Sequence, residues 1–386
     1  MSARIEGDWI ARPGTQAVCA MLTRGGHRAL FVGGCVRNAL LGAPVTDIDV
    51  TTEAHPERVI ELAAAAGLKA VPTGIDHGTV TVVSEGEGYE ITTFRRDVET
   101  FGRHAVVAYS DDIREDAARR DFTMNALYAL PDGTVVDPLG TGLTDLEARH
   151  LRFVGDAETR IREDYLRILR FFRFTAWYGD PEAGFDPAAL SAIAETRGGL
   201  DELSRERVGA ELKKLLAAPD PAPAVAVMER VGVLIRLPPG ATARDLAPLV
   251  APEAAAGVAP DPIRRLACLG AGEEEGRALR LSRAEMRRLG RLRSLVGNGQ
   301  GPGEIGYRHG EDAARDALLL RGAARGELPG DEDFAAAAHG AAQTFPVKAR
   351  DLMPDHEGQA LGERLAELER RWIASGFKLP REALLD

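Results

Sequence analysis

Three cysteines, Cys19, Cys35 and Cys268, are scattered through 386 residues, too few for a disulfide framework and without the spacing of a CxxC metal site. Reduced thiols packed as small hydrophobes are expected. No uninterrupted apolar run approaches bilayer length, and the opening MSARIEGDWIARPG scatters charges where a secretory leader carries an apolar stretch. A soluble, cytoplasmic protein with no membrane partner is the expectation. An excess of positive charge is lacking too: the formal net charge of −11 speaks against a basic coat for nucleic acid. Phosphate contacts need only a local positive face, however, and residues 149–173 hold seven arginines against the four acids Asp156, Glu158, Glu163 and Asp164. An RNA partner therefore stays compatible with the composition. No internal repeat of fixed period is present.

A chain of this length exceeds what one hydrophobic core usually organises, so two or more domains are expected. Within the first 150 residues, RALFVGG, DIDVTT, GTVTVV, YEITTF and GTVVDP read as strands, separated by helical stretches such as ERVIELAAAAG, ended by Gly67. That alternation predicts an α/β or α+β domain on one sheet. After Leu151 the strand signals fade, and leucine and arginine recur at helical spacing. LSRERVGAELKKLLAA predicts a helix capped by Ser204, with Val208, Leu212, Leu215 and Leu216 on one face. Residues 217–262, rich in Ala and Pro, read as short helices across a boundary, and GERLAELERRWIASGF as a late amphipathic helix.

The segment FVGGCVRNALLGAPVTDIDVTT carries the strongest chemical signal. Phe31 and Val32 end a strand, Gly33 and Gly34 make a tight turn, and residues 35–41 begin a helix whose unpaired first-turn N–H groups favour a phosphate. Arg37 adds a charge close by. Asp47 and Asp49 lie two residues apart in a strand-like run, which puts both carboxylates on one face, where they can present oxygens to Mg²⁺. Glu90, in YEITTF, sits in a strand of the same alternation and is a third candidate carboxylate. A DxD pair alone is equally a solvated strand edge.

Two further constellations follow. In ARRDFTMNAL, Arg119 and Arg120 precede a run read as helix, and paired arginines suit a triphosphate or ribose. In TRIREDYLRILRFFRF, Asp164, Arg167, Arg170 and Arg173 recur every third residue on an apparent helix, with Leu166, Leu169 and Phe172 forming an apolar stripe. An Asp and an Arg side by side offer acceptors and donors to the edge of a base. The competing reading is a salt-bridge ladder on a surface helix.

Taken together, GGCVRNALLG with DIDV, RRDFTMNAL, DPLGTGLTDL, EDYLRILRFFRF and LSRERVGAEL resemble the class II nucleotidyltransferase family of CCA-adding tRNA enzymes and poly(A) polymerases. The resemblance covers roughly the first 215 residues, and FPVKARDLMPDHEGQALGERL resembles the family's tail more loosely. It implies an α+β fold: a palm-like, mixed-sheet nucleotidyltransferase head over residues 1–150, then an all-helical neck (151–220), body (221–300) and tail (301–386). It implies Asp47 and Asp49 as ligands of Mg²⁺, with two ions expected, and Glu90 as a further catalytic carboxylate. Gly34, Arg37 and Arg120 would contact the incoming nucleotide, Asp164 and Arg167 the base of CTP or ATP, and Arg170 and Arg173 nucleotide or RNA phosphates. The partners implied are tRNA, CTP and ATP, with no protein partner. Asn38 stands where the family usually has Asp, GTG interrupts the GG after DPL, and Ala349 replaces a common Gly; none removes a proposed ligand.

TGIDHGTVTVV resembles the CCA-adding segment more than the basic stretch of bacterial poly(A) polymerases. Residues 95–118 occupy the place of the family's loop for switching from C to A, and the absence of a His-Asp dipeptide argues against a fused phosphohydrolase domain. Addition of C, C and A to tRNA is the resulting expectation. A poly(A) polymerase, an enzyme adding only A or only CC, and a non-catalytic RNA-binding protein on the same scaffold remain as alternatives.

Overall fold

Alternating apolar residues in the first part of the chain build a single seven-stranded sheet. In the computed structural model, which describes residues 3–101, 104–237, 241–353 and 355–386, these strands are β1 (Leu30–Val32), β2 (Asp49–Thr52), β3 (Lys69–Gly74), β4 (Thr79–Ser84), β5 (Glu87–Thr93), β8 (Tyr128–Ala129) and β9 (Val135–Val136). Their order is β3-β4-β5-β2-β1-β8-β9. The β2–β5 pair is parallel and the other pairs are antiparallel, so the sheet is mixed. Between β5 and β8, β6 (Arg95–Phe101) and β7 (His104–Tyr109) form a separate antiparallel ribbon.

The alternation explains which face is which. In β4, Val80 and Val82 are buried while Thr79 and Thr81 are half-buried; in β5, Tyr89 and Ile91 are buried while Glu90 is exposed. The helices Pro13–Arg24 and Pro56–Ala65 pack on the sheet, covering the apolar face. Pro13 and Pro56 open these helices, where a missing N–H costs nothing and the fixed φ fits. The polar row that includes Glu90 is left facing away from that layer.

Chain contacts divide the protein into two compact units, Met1–Leu203 and Ser204–Asp386. The first contains more than the sheet. Helices Ala157–Glu163 and Leu166–Tyr178 belong to it, joined through a cluster in which Phe122 and Phe153 pack against Phe171, with Phe174 beside Phe122. Rings at 5–6 Å separation of this kind bury large apolar area and fix relative orientation. The arginine-bearing helix is thereby anchored to the segment that carries Arg119 and Arg120.

The second unit is helical throughout its described residues. Helix Arg205–Leu216 follows Ser204 and buries Val208, Leu212, Leu215 and Leu216, the face expected from spacing. Helices Pro302–His309 and Asp331–Ala341 touch backbone to backbone: a Cβ on Gly306 would meet the Ala337 carbonyl oxygen at 2.0 Å, and one on Gly340 the Gly303 carbonyl oxygen at 2.0 Å. Near the end, helix Gly358–Ala374 buries Leu368 and Trp372, and the Trp372 ring packs against Tyr307, Phe345 and Phe377. Among the described residues no helix is long and apolar enough to cross a membrane. The three cysteines are free, and burial pushes the Cys19 thiol up to about 12 and that of Cys35 to about 11.

Candidate active site

The carboxylates come first. Asp49 opens β2, and its register partner across the parallel β5 is Glu90. Residues paired in this way project to the same side of a sheet, so the two acids are neighbours. Asp47 lies just before the strand rather than in it, exposed, with its Oδ2 accepting from the Thr46 hydroxyl at 3.2 Å. All three line one cavity of about 580 Å³. Burial pushes the Asp49 carboxyl above the ordinary range, with Glu90 and Asp47 adding to the rise and Arg120 opposing it. Like charges held together in this way are the donor set a divalent cation requires. Among the described residues no three His, Cys, Asp or Glu form a ready-made cage. Magnesium fits such an incomplete set, because it keeps waters and shares phosphate oxygens with its substrate.

A stability test follows from the raised Asp49. Its folded-state proton affinity exceeds the unfolded one, so above both values the charge costs stability, and the cost disappears as pH falls below the unfolded carboxyl range near ~4. Asp49→Asn is therefore expected to raise the melting temperature of metal-free protein at pH 7. The gain, roughly 0.5–2 kcal/mol, should vanish toward pH ~4. Thermal unfolding across that pH range, with chelator present, checks the sign.

On the other side of β2, β1 runs into the turn at Gly33, whose φ of +71° is left-handed and suits glycine. Helix Gly34–Leu40 starts directly after it. Arg120 reaches this turn: its Nη1 lies 3.4 Å from where a Gly33 Cβ would stand. Two groups that sequence reasoning passed over hold it there. Arg120 donates from Nη2 to Asp116 Oδ2 at 3.0 Å and from Nε to the Tyr128 hydroxyl at 3.1 Å, and that hydroxyl donates to Asp116 at 2.7 Å. Burial alone would raise Asp116, but Arg120, Tyr128 and Arg119 outweigh it and hold the carboxyl below its usual range. The i,i+4 spacing of Asp116 and Arg120 was the signal available in the sequence.

Arg37 is placed differently from a surface phosphate ligand. It is 6 % exposed, donates to Asn125 Oδ1 at 2.5 Å, to Asn38 Oδ1 at 2.8 Å and to the Tyr178 hydroxyl at 2.9 Å, and lies 4.0 Å from the Tyr178 ring centroid. Burial pulls its proton affinity below the ordinary value. Asn38, where the family usually has Asp, is thus a partner of Arg37 and also donates to the Pro44 carbonyl at 2.8 Å. Gly34 adjoins the same guanidinium, at 3.9 Å from its would-be Cβ.

RRDFTMNAL is not a helix. Phe122 bridges to Phe153, Thr123–Asn125 forms a single 3-10 turn, and Tyr128–Ala129 is strand. Side chains compete for the backbone here: Asp121 Oδ1 accepts from the Phe122 N–H and from Asn125 Nδ2, each at 2.9 Å, and the Thr123 hydroxyl donates to Asp145. Asp121 is also the anchor of Arg170, whose Nε donates to its Oδ2 at 2.9 Å. Burial would raise Asp121; Arg170 and Asn125 reverse that and hold it low.

Nor do Asp164, Arg167, Arg170 and Arg173 share one helix. The chain breaks between Ala157–Glu163 and Leu166–Tyr178. Asp164 stands in extended conformation at the break, its Oδ1 accepting from the Leu166 N–H at 3.1 Å. Arg167 pairs with Glu163 at 2.5 Å and donates to the Arg160 carbonyl at 2.9 Å. Arg173 lies over the Phe174 ring, 4.3 Å from its centroid. Asp164 and the three arginines are all half-buried. Leu166, Leu169 and Phe172 are buried as the apolar stripe required.

Residues 29–152 match the family described as the poly A polymerase head domain, and residues 184–244 one described as "Probable RNA and SrmB- binding site of polymerase A". The chain is 43 % identical over 204 residues to human CCA tRNA nucleotidyltransferase 1, mitochondrial, covering 53 % of this chain and 47 % of that protein. It is 41 % identical over 223 residues to the CCA-adding enzyme of Geobacillus thermodenitrificans, covering 57 % and 53 %. It thus spans about half the length of the curated relatives it matches. The crystal structure of the Bacillus stearothermophilus CCA-adding enzyme in complex with CTP superposes with a TM-score of 0.74 at 28 % identity, over 97 % of this chain and 96 % of that one. The head segment, residues 29–152, thus matches the poly A polymerase head domain, and the chain is similar in sequence over about half its length, and in fold over nearly all of it, to CCA-adding tRNA nucleotidyltransferases.

Proposed function

We propose that this protein is a template-independent, cytoplasmic nucleotidyltransferase that adds C, C and A to tRNA 3′ ends from CTP and ATP. The observation that carries the reading is the register pair Asp49–Glu90, with Asp47 beside it, opening on one cavity, while Arg120, set against the Gly33 turn, is close enough to act on the Asp49 carboxylate. Its relatives named as CCA-adding enzymes, and a solved relative in complex with CTP, support the substrate class.

Asp47 and Asp49 would hold two Mg²⁺ ions, with Glu90 contributing to the same negative set. When bound, such ions supply Lewis acidity, lowering the pKa of an attacking hydroxyl and offsetting charge on a leaving pyrophosphate. The protein's own groups do the rest. Arg120, fixed by Asp116 and Tyr128, keeps a full positive charge beside the Gly33 turn for the triphosphate, and Gly33 and Gly34 let phosphate oxygens approach backbone N–H groups. Arg37 is held beside the turn through Asn125 and Tyr178. Asp164, at the helix break, and Arg167, in the first turn of the helix that follows it, read the base edge; Arg170 and Arg173 serve phosphates from the following turns.

The overall reaction joins the tRNA 3′ oxygen to the α-phosphorus and releases pyrophosphate, the hydroxyl proton going to solvent. A tRNA ending before its CCA, incubated with each nucleoside triphosphate and resolved on a sequencing gel, tests this. Two C additions followed by one A and a stop are expected. Long A tracts would assign a poly(A) polymerase, and arrest after CC or failure with CTP a partial enzyme.

A further inference from the structure

The cavity that receives Asp47, Asp49 and Glu90 has one cation among its described lining residues, Arg12. It lies outside the matched head segment, residues 29–152, and outside every motif singled out above. Pro13 holds it extended, at φ −54° and ψ 136°, as the residue that precedes helix Pro13–Arg24. Its Nη1 donates to Glu87 Oε1 at 3.1 Å and Oε2 at 3.3 Å. Both side chains are about half exposed, 49 % and 51 %, and an ion pair in such a setting contributes little and exchanges readily.

Glu87 does not depend on that pairing. It also accepts from the Tyr89 hydroxyl at 3.1 Å, which lies 3.3 Å from the Thr15 hydroxyl, itself donating to the Trp9 carbonyl at 2.7 Å. The carboxylate stays in place if Arg12 leaves.

Sheet order supplies the direction. Across β5-β2-β1-β8, Arg120 is held by Tyr128 of β8 at one end, Asp49 stands on β2, and at the other end β5 carries both Glu90 and, nearer its start, Glu87, the partner of Arg12. Displacement at the α-phosphorus needs the attacking oxygen and the leaving pyrophosphate on opposite sides. With the triphosphate on the Gly33–Arg120 side, the RNA strand arrives from the β5 side. There it meets Glu87, Glu90, Asp47 and Asp49, which repel a phosphodiester, and Arg12, which attracts one.

We propose that Arg12 is a positioning residue for the RNA: it exchanges Glu87 for the phosphodiester nearest the 3′ end and so sets the terminal hydroxyl in front of the carboxylates. This rests on the nucleotidyltransferase reading given above.

The test varies tRNA and CTP separately for wild type, Arg12→Ala and Arg12→Lys, and measures binding of a tRNA ending in a 3′-deoxynucleotide, which cannot react. Arg12→Ala is expected to raise the tRNA KM roughly tenfold, as for loss of one charge-assisted phosphate contact, and to leave the CTP KM within about twofold. The dependence of log KM on log salt should fall by ~0.7, the slope one single-strand phosphate contributes. Arg12→Lys should recover part of the loss, because the point charge remains. Binding of the 3′-deoxy tRNA should weaken in parallel. Unchanged tRNA affinity and salt slope in Arg12→Ala would overturn the proposal, as would equal losses in the tRNA and CTP KM values. Because the 3′-deoxy binding needs no turnover, it judges Arg12 even if wild-type protein adds no nucleotide, a result that would instead remove the functional reading.

Discussion

Asp47→Ala and Asp49→Ala are each expected to lower CMP incorporation into tRNA lacking its terminus by roughly three orders of magnitude or more, the scale on which a principal electrostatic stabiliser acts. Their effects on stability should differ. Asp47 is exposed and outside the strand, so its removal is expected within ~0.5 kcal/mol of neutral. Asp49 carries the strained charge, raised by burial and by Glu90, so neutralising it should stabilise the metal-free fold even as activity is lost. Single-turnover incorporation and thermal unfolding on the same preparations separate the two. Loss of activity accompanied by unfolding in both variants would point to a structural role.

The second large effect is expected in the helical unit. Glu253 is 1 % exposed and bridges Arg264, 2 % exposed, and Arg265, 1 % exposed. Its oxygens accept from Arg264 Nε at 2.6 Å and Arg265 Nε at 2.9 Å. Arg265 Nη1 in turn donates to the Leu216 carbonyl at 2.7 Å and the Ala218 carbonyl at 2.5 Å, satisfying the open end of helix Arg205–Leu216. Asp316 completes the set, accepting from Arg264 Nη1 at 2.8 Å and Arg288 Nη2 at 2.7 Å. Removing one partner from a buried ion network leaves a charge with neither water nor counter-ion, so Glu253→Ala should cost ~3–5 kcal/mol. The half-open pair Arg277–Glu273, with side chains 64 % and 67 % exposed, is the control, and Glu273→Ala should stay within ~0.5 kcal/mol. Denaturant unfolding of both variants checks the contrast.

Much of this architecture was legible because its signals were local. The strands at Leu30–Val32, Asp49–Thr52 and Val135–Val136 fall within runs read as strands, those at Thr79–Ser84 and Glu87–Thr93 overlap such runs and extend beyond them, and the buried face of Arg205–Leu216 follows from helical spacing. The Asp-x-Asp pair, Glu90 and the glycine turn were found because they carry chemistry at short range. Two readings failed for one reason, that short polar side chains outcompete backbone periodicity. Asp121 and Thr123 bond locally and across to Asp145, turning an apparent helix into a bridge and a 3-10 turn. Asp164 takes the Leu166 N–H and stands in a break between two helices, so that of the every-third-residue stripe Arg167, Arg170 and Arg173 share a helix and Asp164 does not.

What stayed hidden were long-range partnerships. Asp121 and Arg170 are 49 residues apart, Arg37 and Tyr178 are 141 apart, and Arg12 and Glu87 are 75 apart. No spacing rule reports such pairs, because the sheet order and the phenylalanine cluster bring them together. Arg37 illustrates the consequence. Its motif suggested contact with the incoming nucleotide, and the fold buries it beside the turn with Asn38, Asn125 and Tyr178 as partners.

That Asp49 and its neighbours hold divalent ions for nucleotidyl transfer is tested by a magnesium titration. CMP incorporation by wild type and by Asp49→Asn should be followed side by side from chelated buffer upward. Wild-type activity is expected to rise from nothing with magnesium while Asp49→Asn, fully folded, stays flat. Incorporation by wild type without any divalent ion, or by Asp49→Asn at the wild-type rate, would contradict it.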